Sequence, residues 1–246
     1  MLYAVSINLE EASIMSESSF VISPPPVAAV PVVGTSAQFP LRRVFCVGRN
    51  YAAHAREMGH SDREPPFFFT KPADAVLTPV AGDLPYPPAT ADLHHEVELV
   101  VALKSGGADI APEDALNHVY GCAVGVDLTR RDLQAEAKKA ARPWDMAKGF
   151  DASGPMGPLL PLTGAEALPQ QARITLSVSG DLRQDGSTAD MIWPVADIIA
   201  ALSRLVTLAA GDVIFTGTPE GVGAVQRGET VHAEIAGLPP LTFTLR

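Results

Sequence analysis

The sequence predicts a β-rich α+β fold with a few short peripheral helices, arranged as one large domain or two small ones. Three observations carry this expectation. Short apolar runs recur between Gly- and Pro-containing turns, helical periodicity is confined to brief stretches, and the chain closes on two strand-like runs at residues 230–235 and 241–245.

Composition narrows the function classes. With 47% hydrophobic residues the 246-residue chain is an ordinary globular sequence. Its 28 acidic against 18 basic residues give a net charge of −10, which argues against nucleic acid as a partner. Cys46 and Cys122 sit in apolar strand-like runs, so they read as small buried hydrophobes and not as a disulfide or metal pair, and a reducing cytoplasm fits. No apolar run reaches spanning length, and the N-terminus lacks the basic region and apolar core of a secretion signal. The expectation is a cytoplasmic protein without a membrane partner.

Residues 1–38 are Ser- and Pro-rich; Pro24, Pro25, Pro26 and Pro31 oppose a helix and favour an extended arm. Met15 is an alternative start. The remaining residues, 39–246, carry every candidate functional group. A strand at 43–47 runs into the turn Gly48-Arg49-Asn50-Tyr51 and then a short helix at 52–58 stopped by Gly59. On it His54 and Glu57, three apart, share a side, where the carboxylate can orient the imidazole and raise its basicity. A surface His beside a surface Glu is the bland alternative. Residues 65–72 read as an aromatic buried strand closed by Pro72.

The run His94-His95-Glu96-Val97-Glu98-Leu99-Val100-Val101-Ala102-Leu103 places two acids in an otherwise buried strand. Strand alternation puts Glu96 and Glu98 on one face and Val97, Leu99, Val101 and Leu103 on the other. Two buried like charges call for a compensating cation, and a divalent ion supplies more charge than one lysine. A strand end facing solvent is the competing reading.

The small-residue strand 121–126 ends in a third acid, Asp127. Thr129 is placed to cap a helix over 130–141, on which Arg131, Gln134 and Lys138 share a face; a solvated helix face is the alternative for Arg131 and Lys138. Lys148 lies in a loop-like stretch between Ala147 and Gly149 among apolar neighbours, an odd place for a solubilising lysine. Residues 173–185 form a hairpin turning at Gly180-Asp181, and Pro194 opens a helix to Val206 with Ile198, Ile199, Leu202 and Leu205 as its core stripe. A strand from Gly211 then enters Thr216-Gly217-Thr218-Pro219-Glu220-Gly221-Val222-Gly223, whose backbone N–H groups suit an anion, without the Lys-Ser/Thr ending of a nucleotide-binding loop.

Five segments together resemble the fumarylacetoacetate hydrolase family over about residues 40–246: the Gly48 turn with His54 and Glu57, the Glu96/Glu98 strand, the run Asp127-Leu128-Thr129-Arg130-Arg131-Asp132-Leu133-Gln134, the Lys148 segment, and the Thr216–Gly223 loop. The likeness is to the short acylpyruvases and bacterial fumarylpyruvate hydrolases, with the Pro-rich arm where larger members carry an extra domain. It implies a β-sandwich roll, a homodimer, and Mg²⁺ or Mn²⁺ held by Glu96, Glu98 and Asp127, the all-oxygen ligation that hard ions favour. Larger members add an Asp-type ligand upstream of the histidine; Val47, Gly48 and Arg49 stand there in this chain, which implies three carboxylates and open positions. The resemblance also assigns His54, Glu57 and Lys148 to catalysis on a lidded site, and Arg131, Gln134, Lys148 and Thr218 to substrate contact.

The implied activity is hydrolysis of the carbon–carbon bond of a 2,4-dioxo acid such as fumarylpyruvate, giving pyruvate and a carboxylic acid, as in aromatic-compound catabolism. Two alternatives stand beside it. One is oxaloacetate decarboxylation or keto–enol isomerisation at the same metal; the other is a silent dimer that only binds keto acids, which an intact base and orienting partner disfavour.

Overall fold

The computed structural model describes residues 20–52, 65–79 and 82–246. Its organising element is the acidic strand, divided into Leu93–His95 and Val97–Leu103 with Glu96 between them. The break marks a change of partners: His95 pairs with Gly223, whereas Val97 pairs with Val126. Beyond the break the strand lies inside a six-stranded mixed sheet in the order Leu160–Pro161, Val119–Val126, Val97–Leu103, Asp212–Phe215, Arg43–Gly48, Phe67–Lys71. Among the described residues its only parallel pair joins Asp212–Phe215 to Arg43–Gly48.

A second sheet of five strands runs Asp181–Ser187, Arg173–Val178, Thr230–Ile235, Leu241–Leu245, Asp83–Leu84. Between the sheets, Val97, Leu99, Val101 and Leu103 meet Ile174, Leu176, Val231 and Phe243. On the other face Val100 and Ala102 join Val44, Cys46, Ala123 and Phe215, and Val30, Val32 and Phe39 complete that cluster. Residues Ala29–Pro31, expected in an extended arm, pair antiparallel with Gln38–Pro40 and so close this second core. The period-2 pattern therefore sends odd positions of the acidic strand into one core and even positions into the other, Glu98 among them.

Cys46 and Cys122 are buried and unpaired, as their apolar settings imply. The helix after Pro194 spans Val195–Ser203 and buries Ile198, Ile199 and Leu202. Leu205 corrects the expected stripe: the helix has ended, and the side chain is 68% exposed. Thr129 is likewise not a cap, because it pairs with His94 in a short ladder and the helix Arg131–Lys139 begins after Arg130, which makes no side-chain cap bond. Phe67, Phe68 and Phe69 are half-buried, since the strand Phe67–Lys71 is a sheet edge. Met15 and the expected helix of His54 and Glu57 lie outside the described residues.

Close packing around the acidic strand gives a direct test. Gly125 stands opposite Glu98 in register, and a methyl group there would overlap Val100 and lie 2.7 Å from Phe215 Cε1. Gly125→Ala should cost about 1–3 kcal/mol by overpacking, read as a lowered urea midpoint at unchanged slope. An unaltered midpoint would mean that the sheet yields where the packing says it cannot.

Candidate metal and substrate site

Glu96, Glu98 and Asp127 converge: ligand oxygens from all three lie within 4.8 Å of one another, and all three residues are buried. The convergence follows from the backbone. Glu96 stands at the partner switch, Glu98 follows two residues on, and the Asp127 N–H donates to Glu96 O at 2.8 Å, tying the end of one strand to the start of the other. Burial, followed by the charges of Asp127 and Glu96, pushes the Glu98 carboxyl well above the usual carboxylate range.

Three cations answer this charge. Lys148, in the short helix Asp145–Lys148 and not in a loop, donates from Nζ to Glu96 Oε2 at 2.9 Å and Asp127 Oδ2 at 2.7 Å. Burial works to lower its pKa, but Asp127 and Glu96 outweigh burial and the net shift is upward. Arg131 pairs with Glu96 Oε1 and also donates to Gln134 Oε1 at 2.7 Å. Lys71, which the sequence reading passed over, lies 2.8 Å from Asp127 Oδ1 and donates to the backbone carbonyl of Lys148. Despite that proximity, Asp127 Oδ1 is a buried oxygen without a hydrogen bond among the described residues. An all-carboxylate donor set with an unsatisfied oxygen fits a hard divalent cation.

The Thr216–Gly223 loop does offer a backbone N–H to an anion, but the anion is internal: Gly217 N–H donates to Glu98 Oε2 at 2.7 Å. Gly217 has φ +97°, and a Cβ there would fall 2.7 Å from Asn50 Cβ, so both conformation and space require glycine. Asn50 secures the loop by donating to Thr216 O at 2.8 Å and Trp193 O at 3.0 Å.

A further group missed in the sequence is Gln184. It is buried on the five-stranded sheet, accepts from Val97 N–H, and donates to Thr218 Oγ1 at 2.8 Å and Pro219 O at 2.9 Å. Its Oε1 also lies 3.0 Å from His95 Nδ1; because that oxygen only accepts, Nδ1 carries the proton. Burial lowers the His95 pKa to about 4 against the raising effect of this bond. Gln184 therefore fixes the start of the acidic strand relative to the Thr218 loop. Nothing in the local sequence Leu182-Arg183-Gln184-Asp185 sets it apart from its polar neighbours.

Among the residues assigned in advance, Glu96, Glu98, Arg131, Gln134, Lys148 and Thr218 line one cleft, with Asp127 beneath it; His54 and Glu57 lie outside the described residues. Phe67, Phe69 and Trp144 wall the cleft, Phe67 and Trp144 meeting edge to face at 5.6 Å. Lys138 also lines it, with Nζ 5.0 Å from the Trp144 ring centroid.

Residues 43–246 match the family of the fumarylacetoacetate hydrolase C-terminal domain. A crystal structure of fumarylpyruvate hydrolase from Pseudomonas aeruginosa with Mn²⁺ and pyruvate is 49% identical, with a TM-score of 0.89 over 92% of this chain and 99% of that one. A Burkholderia cenocepacia structure, provisionally assigned as a fumarylpyruvate hydrolase, is 58% identical, with a TM-score of 0.86 over 93% and 95% of the two chains. The oxaloacetate tautomerase YcgM of Escherichia coli is 41% identical over 204 residues, 83% of this chain and 93% of its own.

Proposed function

The chain belongs to the fumarylacetoacetate hydrolase family, and from that premise we propose that it is a metal-dependent hydrolase cleaving the carbon–carbon bond of an acylpyruvate, with fumarylpyruvate as substrate. The observation that carries the reading is the buried trio Glu96, Glu98 and Asp127 on the floor of a cationic cleft. The Mn²⁺ and pyruvate in the Pseudomonas aeruginosa relative support it. A divalent cation held by the trio, Mg²⁺ or Mn²⁺, would supply Lewis acidity to the carboxylate and 2-keto oxygen of the substrate.

The protein's own groups do the rest. Arg131 and Gln134, joined at 2.7 Å, orient the pyruvoyl end, and Thr218, fixed by Gln184, closes the opposite side. His54, oriented by Glu57, removes a proton from the water that attacks the distal C4 carbonyl. Lys148 Nζ donates to the oxyanion that develops there. Breaking C3–C4 leaves its electron pair on the pyruvate fragment, and protonation at C3 completes the products, pyruvate and fumarate.

A second reading, oxaloacetate tautomerisation or decarboxylation, is favoured by the oxaloacetate tautomerase relative and uses the same trio. Turnover of fumarylpyruvate, acetylpyruvate and oxaloacetate with Mg²⁺ or Mn²⁺ separates the two. The expected result is the highest kcat/KM on fumarylpyruvate, with equimolar pyruvate and fumarate formed; turnover of oxaloacetate alone would overturn the hydrolase reading. We also infer a homodimer, as the family resemblance implies.

A further inference from the structure

The cleft holds a positive charge that forms no ion pair with a carboxylate among the described residues. Lys148 is committed to Glu96 and Asp127, and Arg131 to Glu96. Lys138 lines the same cleft without an ion-pair partner among the described residues, and its ammonium stands over the face of Trp144. It is exposed at the rim, on the helix Arg131–Lys139 that also supplies Arg131 and Gln134. An adjoining cleft shares Phe67, Phe69, Trp144 and Lys148 and reaches Arg142. The aromatic wall thus leads from the carboxylate trio past Lys138.

We propose that Lys138 is a specificity-determining residue that pairs with the carboxylate at the far end of the acyl group, so that the site selects dianionic over monoanionic acylpyruvates. The inference rests on the hydrolase reading and names its substrate class. Trp144 and Phe67 suit a flat, unsaturated acyl chain between the two anionic ends, because planar groups pack against aromatic faces and edges. Electrostatics agrees: partial desolvation against the cleft wall, then the neighbouring charges of Arg131 and Arg49, lower the Lys138 pKa, and a substrate anion relieves that repulsion. At the solvent-exposed rim the pair contributes modestly in energy and chiefly to discrimination.

The test compares kcat/KM on fumarylpyruvate and acetylpyruvate in the metal-loaded wild type, Lys138→Gln, Lys138→Arg and Arg142→Gln. Lys138→Gln should lower the fumarylpyruvate-to-acetylpyruvate ratio about tenfold and Lys138→Arg should restore most of it, while Arg142→Gln should change it less than twofold. Calorimetry with fumarate and pyruvate as separate probes should show Lys138→Gln weakening fumarate more than pyruvate. An unchanged ratio, an equal loss on both substrates, or a ratio that follows Arg142 would overturn the proposal. If neither acylpyruvate is turned over, the hydrolase reading fails, and the fumarate and pyruvate titrations still decide Lys138.

Discussion

His54→Ala should lower fumarylpyruvate hydrolysis by about two to four orders of magnitude, the usual range for loss of a general base. Hydrolysis requires a base to activate water, whereas decarboxylation of oxaloacetate at the same trio would draw chiefly on a metal to carry developing negative charge. The variant should therefore spare oxaloacetate decarboxylation comparatively, and the ratio of hydrolysis to decarboxylation is the quantity to measure. Intact fumarylpyruvate turnover in His54→Ala would sink the assignment of the base.

Glu98→Gln carries the second large effect. The side chain keeps its shape and its place beside Gly217 N–H, so the sheet should remain folded while one anionic donor is lost. Outer-shell changes around metals already cost about 10–100-fold in affinity, and removal of a ligand charge should exceed the upper end of that range. The pH dependence provides a separate signature. Burial and the neighbouring acids raise the Glu98 pKa, so the carboxyl keeps its proton to higher pH than an ordinary carboxylate does, metal binding there competes with that proton, and wild-type affinity should rise with pH until Glu98 is ionised. Calorimetry should show that component of the pH slope missing in Glu98→Gln; equal affinity and equal slope in both proteins would remove Glu98 from the site.

Much of this was legible in the chain because it rests on local rules. Period-2 alternation put Glu96 and Glu98 on one face, a strand end marked Asp127, and Lys148 among apolar neighbours signalled an internal target. The five-segment order identified the family, and with it the β-rich fold. What escaped depends on contacts distant in sequence. Lys71 reads as the tail of an aromatic strand until Asp127, 56 positions later, lies against it. Gln184 reads as one more polar residue on an exposed hairpin, although it alone on that strand is fully buried. Thr129 and Leu205 failed for a different reason: cap and stripe rules assume an isolated helix, whereas here a strand pair delivers one helix and the other ends before its pattern does.

The lysines beside the trio have a consequence for how the enzyme is assembled in a cell. Three converging carboxylates without counter-ions would strain the sheet by several kcal/mol, but Lys71, Lys148 and Arg131 pair with Asp127 and Glu96 from within, and Glu98, whose pKa is raised, accepts from Gly217 N–H. The polypeptide can therefore complete its folding before it acquires a metal, unlike small domains whose structure depends on the ion. Lys148 occupies the Glu96 and Asp127 oxygens that an incoming cation would seek, so loading would exchange one cation for another. Removing a bound cation with a chelator should therefore leave the thermal unfolding midpoint of the protein nearly unchanged, because the internal ion pairs persist without it.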